Sequence, residues 1–288
     1  MPAPYLLILA HSRSGSTFLV DLVRGMTGVA SLSEFFHRNP KHPIADFSEE
    51  ALAPYGSHAA LAEAAIADPL ATLAFRDKVD GVSLFVVKVL GQQLRDERAR
   101  RILIDNAIGV VVLRRNPFSA WVSRALVDQS KTWANAGTAQ FEVTYDEEFF
   151  LTFARRYSTQ IHEFRRIVTE SGKPFVSLTY SDVVALGAPA NLWKSLRTAM
   201  PLLPDLRPNP EWVPRIFRQD ERLPIDRISN RSFAIASLER LGLGYLVENT
   251  DSDDLDYLIS VLVKEPPRSA LNKFVSEAKR RLGRSAKK

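Results

Sequence analysis

The sequence of 288 residues predicts one α/β domain of three layers, with a central, mainly parallel sheet and a helical C-terminal part. Three observations lead there. Short runs rich in Val, Ile and Leu alternate with longer amphipathic segments, as in strands buried on both faces and covered by helices. After Tyr180 helical apolar spacing dominates. The composition is 45% hydrophobic and 25% charged with no cysteine, which describes an ordinary globular chain without disulfides, thiol nucleophiles or thiolate metal sites.

The elements follow in chain order. Strand-like runs cover 5–10, 83–89, 110–113 and 175–179. Helical spacing covers 17–26, 92–106, 119–127 and 147–170, then 191–200, 232–241, 253–264 and 270–282. The proline-rich stretch 200–214 reads as an irregular segment packed over the sheet edge through Trp212 and its leucines. No repeat or low-complexity tract interrupts the chain, so 1–288 reads as one domain with insertions at about 38–80 and 128–148. The longest apolar runs, 5–10 and 109–113, are far short of the ~20 residues a membrane-spanning helix needs. No charged region precedes the first run, so a cleaved leader is not expected and a cytoplasmic location is.

The net charge is +5, but residues 279–288 hold six cations and no anions, so the rest of the chain sums to −1. A near-neutral body argues against a nucleic-acid partner. Leu271, Phe274, Val275, Ala278 and Leu282 form an apolar stripe on a basic C-terminal helix within 270–288. That helix either docks on the core or makes a weak membrane-surface contact.

Two segments point to anion binding. In YLLILAHSRSGSTFLVDLV, Ser12, Arg13, Ser14, Gly15, Ser16 and Thr17 wrap a strand end and lead into a helix N-terminus, where backbone N–H groups and the helix dipole suit a phosphate-like anion. Against the Walker A pattern G-x-x-x-x-G-K-[ST], Ala10 takes the first glycine, Gly15 the second and Thr17 the hydroxyl, but Ser16 stands where the lysine should be. That argues against ATP or GTP chemistry. Arg13 supplies a cation at the loop apex instead; the alternative is a capped turn with an exposed arginine. In IGVVVLRRNPFSAWVSRAL, a buried strand ends in Arg114 and Arg115, which alternate faces, and Pro117 opens a helix with Ser119 and Ser123 on one side. An arginine fork with those hydroxyls would make a second phosphate site. A surface salt bridge is the competing reading.

Two anion sites suit a nucleotide phosphorylated at both ends of its ribose. On SRSGST followed by RNPFSAWVS, the sequence resembles the sulfotransferases that use 3′-phosphoadenosine-5′-phosphosulfate (PAPS). The resemblance implies a P-loop-type fold, with the first loop on the 5′-phosphosulfate and Arg115 and Ser123 on the 3′-phosphate. It leans towards the bacterial carbohydrate sulfotransferases acting on trehalose glycolipids or lipopolysaccharide. SLSEFF (31–36) is similar to their glutamate-bearing segment, VVKVLGQQL (87–94) to their lysine-bearing strand end, and DQSKTW (128–133) to their glutamine-to-tryptophan loop. SLTYSDVV (177–184) and RQDER (218–222) resemble later motifs, although Ser181 replaces the usual acid and 223–288 matches nothing in the family.

The resemblance implies in-line sulfonate transfer to a hydroxyl of a carbohydrate or glycolipid, by positioning and electrostatics and without a required metal. Glu34 is the expected base; its competing role is that of a helix cap in the capping-box pattern Ser31–Glu34. His37 is the reserve base and an acceptor-side residue, and His11 a weaker candidate. Lys88 interrupts the apolar run LFVVKVL and either serves the leaving phosphate or snorkels from the strand end. Arg13 is expected at the sulfonate, Arg218 near the 3′-phosphate, and Gln129 and Trp133 against a sugar. A homodimer stays open. The rival classes are a P-loop kinase or NTPase, with Asp105 as its nearest acid, and a non-catalytic nucleotide-binding relative.

Overall fold

The computed structural model describes residues 3–38, 46–131, 140–216 and 222–248. Among these, β1 (Tyr5–Ala10), β2 (Val29–Ser31), β3 (Leu84–Leu90), β4 (Gly109–Arg114) and β5 (Phe175–Thr179) form one sheet in the order β2-β3-β1-β4-β5. Every pairing is parallel, so the α/β expectation is met. The helices are α1 (Ser16–Arg24), α2 (Ser48–Leu52), α3 (His58–Ala67), α4 (Pro69–Thr72), α5 (Glu97–Asn106), α6 (Pro117–Ser130), α7 (Glu147–Ser171), α8 (Tyr180–Leu186), α9 (Pro189–Ala199) and α10 (Arg231–Arg240).

Alternation along β1 separates the two faces. Leu6, Ile8 and Ala10 pack with Leu19 and Val23 of α1 and Leu192 and Leu196 of α9. Tyr5, Leu7 and Leu9 pack with Leu103 of α5, Ile161 and Phe164 of α7, and Leu61 and Ala65 of α3. A third cluster joins α6, the start of α7 and α10 through Phe118, Trp121, Phe150 and Leu238. Burying a side chain of this kind contributes roughly 1.5–3 kcal/mol, so each strand's apolar run outweighs its modest intrinsic propensity.

Three differences from the sequence expectation have local causes. β2 is too short, at three residues, to show a period of two; its outer edge is tied when the Ser31 N–H donates to Asp46 Oδ2 at 2.9 Å. α5 begins at Glu97, not residue 92, because Asp96 caps it by accepting from Ala99 N at 2.8 Å. α6 begins at Pro117, not residue 119, because Asn116 caps it. Residues 46–78, within the expected insertion, bury Ala51, Leu61, Ala65 and Phe75 on one sheet face.

The proline-rich stretch is irregular, as expected. It is pinned to the end of α1: Thr27 N donates to Arg207 O and Asn209 N to Gly25 O, both at 2.8 Å. The buried Asp21 carboxylate of α1 then accepts from Arg215 N and Ile216 N, at 2.8 and 3.2 Å. The expected helices at 253–264 and 270–282 and the basic tail lie outside the described residues. Among the described residues, no helix is long and apolar enough to cross a membrane.

Because all five strands run the same way, their C-terminal ends open on one edge. The chain leaves β1 through α1 on one face towards β2, and crosses from β3 to β4 through α5 on the other. The crevice between the loops after β1 and β4 is therefore the switch point where open α/β sheets bind ligands.

Candidate anion-binding and transfer site

The loop after β1 turns sharply: Arg13 and Gly15 both lie in the left-handed region, at φ 67 and 89. Ser14 N closes the turn on His11 O at 3.3 Å. α1 then starts with no side-chain cap and no acid in its first turn. Its first N–H groups and the positive end of its dipole are thus available to an anion. The Ser14 hydroxyl, fully buried in this loop, has no hydrogen-bond partner among the described residues. Gly15 is required twice over, since a Cβ there would lie 2.3 Å from the Tyr180 ring as well as demanding positive φ.

The loop after β4 interlocks with it. Asn116 caps α6 by accepting from Phe118 N and Ser119 N, at 2.9 and 3.1 Å, with Pro117 in the first turn. As strand alternation predicts, Arg114 stays in the buried sheet while Arg115 turns to the crevice. Arg115 Nη1 donates to Arg13 O at 3.3 Å, and its guanidinium lies 4.4 Å from the Tyr180 ring centre. Arg13 sends Nε and Nη2 to Ser123 Oγ, at 3.1 and 3.0 Å. Burial, and then repulsion from Arg115 and Arg124, pull the Arg13 guanidinium down to about 10. Asp128, which Arg124 meets at 2.9 Å, opposes that shift. Ser119 is buried under the cap, and Ser123 is the hydroxyl that meets the loop.

On the other side of the loop, Glu34 follows β2. The capping-box alternative is not formed, because residues 32–38 are not helical. Ser31 Oγ instead accepts from Ser33 N at 3.0 Å, and His37 N closes a turn on Glu34 O at 2.9 Å. The fully buried Phe35 and Phe36 anchor that turn. The Glu34 carboxylate accepts from Lys88 Nζ at 3.2 Å and from Gln93 Nε2 at 3.0 Å. Lys88, 1% exposed, does not snorkel to solvent; it also donates to Thr17 Oγ1 at 3.3 Å. Burial pulls its ammonium below the ordinary lysine range, against the opposing pull of Glu34. The sequence singled out Glu34, Lys88 and Thr17 separately, and the structure brings them together. Gln93 was missed, since a glutamine in a polar turn carries no local signal.

The remaining candidates are more dispersed. His37 is half-buried in the Glu34 turn, and Gln129 is exposed near the end of α6. Trp133 and Arg218 lie outside the described residues. His11 is buried against Phe153 and Tyr157, with ring centres 5.3 and 4.8 Å away. Its Nδ1 lies 2.8 Å from Ser12 O, which can only accept, so Nδ1 carries the ring proton. Burial pushes its pKa down to about 4, assisted by Arg156 and Arg124 and opposed by the Ser12 carbonyl. The unfolded chain therefore binds the extra proton between the ordinary histidine value and about 4, and stability falls as pH is lowered through that window. The expected loss at this site is on the order of 3 kcal/mol. Urea unfolding at pH 7 and pH 4.5 tests it: His11→Phe should flatten the acid loss, and an equal loss in the variant would refute the assignment.

Fold and site together define an α/β protein with a two-part cationic crevice at the switch point and a carboxylate–ammonium pair beside it. No family model matches the sequence, and no curated protein matches it. Among solved structures, the chain is similar to a sulfotransferase from Alicyclobacillus acidocaldarius, with 11% identity and a TM-score of 0.44, over 87% of this chain and 98% of that one. It is also similar to the sulfotransferase domain from the Synechococcus PCC 7002 olefin synthase, with 16% identity and a TM-score of 0.44, over 92% of this chain and 96% of that one.

Proposed function

We propose that the chain is a sulfotransferase that moves a sulfonate from PAPS to a hydroxyl of a carbohydrate or glycolipid. The observation that carries this reading is the convergence of Arg13 and Arg115 across the β1 and β4 loops, beside an uncapped helix N-terminus. A donor with phosphates at both ends of its ribose meets both features. The buried Ser14 hydroxyl without a partner fits a ligand that supplies acceptor oxygens. The donor, when bound, supplies a sulfonate on a phosphate leaving group.

The chain's own residues then have separable tasks. The loop N–H groups, Ser16 and Thr17 hold the 5′ side; Arg115 and Ser123 hold the 3′-phosphate, with Arg13 between the two. Glu34 takes the proton of the acceptor hydroxyl as its oxygen bonds to sulfur. The bond from sulfur to the bridging oxygen breaks, and the electron pair leaves on the 5′-phosphate, where Lys88 and the helix end offset the charge. The acceptor class rests on the sequence resemblance, with His37 and Gln129 as its expected contacts.

The kinase or NTPase reading has less behind it. Ser16 stands at the lysine position, and Asp105 is exposed at the end of α5, beside the start of β1 on the opposite edge of the sheet. Calorimetry separates the two. Binding of phosphoadenosine-phosphate, the desulfated product, with no response to ATP and magnesium is the expected result; the reverse would replace this function with the rival.

A further inference from the structure

We infer that Gln93 is a positioning residue for Glu34, its side-chain amide fixing the carboxylate's orientation. The inference rests on the proposed function for its catalytic meaning, but the geometry stands by itself. Gln93 lies in the turn that follows β3. Its backbone N–H donates to Leu90 O at 2.8 Å, while its side-chain Oε1 accepts from Leu90 N at 3.1 Å. The Leu90 N–H can only donate, so it must face the amide oxygen, and this sets which end of the amide is which. The NH₂ end is thereby turned to Glu34, where it donates to Oε2 at 3.0 Å.

The turn itself is held from below. Leu94 is fully buried, and the buried Arg100 donates Nε to Leu94 O at 2.5 Å and Nη2 to Arg95 O at 2.9 Å. Arg100 Nη1 meets Glu163 of α7 at 2.6 Å. The amide is therefore a fixed donor, not a mobile surface side chain.

The consequence for Glu34 follows from counting donors. Oε2 faces the Gln93 amide N–H and Oε1 faces the Lys88 ammonium at 3.2 Å. Both contacts lower the carboxylate's freedom to rotate away. A base is useful only when held within reach of its proton, and a carboxylate with two fixed donors is held on two sides.

The test uses the full chain with Gln93→Met, which keeps the length and loses the polar end, and Gln93→Glu, which puts a second carboxylate against Glu34. Product binding, melting temperature, acceptor KM, kcat and the pH–rate profile are measured together. Gln93→Met should lower kcat roughly ten- to a hundredfold, the worth of one hydrogen bond to a charged group, with product binding and acceptor KM unchanged. Gln93→Glu should move the acid limb of kcat upward by about one pH unit or more, because neighbouring carboxylates resist joint ionisation. Lys88 and His37 remain in both variants, so neither accounts for a difference. Unchanged kcat and an unmoved acid limb, with product binding intact, would overturn the inference. Failure of the wild type to bind the product or transfer sulfonate would instead overturn the proposed function. In that case the ¹³C carboxyl resonance of Glu34, followed against pH, still decides: a higher midpoint in Gln93→Glu supports the positioning role, and coincident curves refute it.

Discussion

Glu34→Gln lowers turnover by roughly 10²–10⁴-fold. The substitution keeps the side chain's size and removes its capacity to take a proton. It also disturbs the pair around it. The new amide has one acceptor oxygen for two donors, Lys88 Nζ and Gln93 Nε2, so one of those contacts is lost. Lys88, buried and already displaced below the ordinary lysine range, loses the charge that opposes its desolvation. It becomes neutral more readily, which weakens its service to the leaving phosphate. Glu34→Asp separates the effects: the charge stays, the reach shortens, and turnover should fall less than for Gln. Single-turnover transfer to an acceptor found by screening is the measurement. Wild-type rates in Glu34→Gln would remove Glu34 as the base and leave it as the counter-ion of Lys88.

How much of this was legible depends on the range over which each contact acts. β1 and β4 announce themselves through apolar runs, because burial on both faces needs no partner to be named. β2 does not, since three residues paired on one side carry too little pattern. Lys88 stood out because a cation in an apolar strand must be answered by something, but its answer lies at Glu34 in a different turn, and nothing local paired the two. The Arg13–Ser123 fork joins the first loop to the middle of α6, a contact that strand geometry alone cannot specify. Gln93 was illegible for a further reason. Its role depends on a turn whose shape is set by the Asp96 cap and the Arg100 fork, neither of which marks a ligand site. Long-range side-chain convergence is what the fold adds to the local pattern.

Arg115→Ala should cost roughly 10²-fold in affinity for phosphoadenosine-phosphate, since a charge-assisted fork contributes about 1.5–3 kcal/mol per hydrogen bond. The backbone anchor survives the change: Arg115 N donates to Tyr157 Oη at 2.6 Å whatever the side chain, so the end of β4 stays in place. What is lost is the guanidinium over Tyr180 and its bond to Arg13 O. Arg115→Lys keeps the charge without the fork and should fall between the two. The informative comparison pairs the protein change with a ligand change, by measuring adenosine 5′-phosphate beside the doubly phosphorylated product. If Arg115 meets the 3′-phosphate, the wild type prefers the product and the alanine variant does not, because the arginine and the phosphate each matter only when the other is present. If both nucleotides weaken equally, Arg115 serves the 5′ side and the two anion sites collapse into one. If neither weakens, the crevice between β1 and β4 does not hold the donor, and the cations gathered there need another anion to explain them.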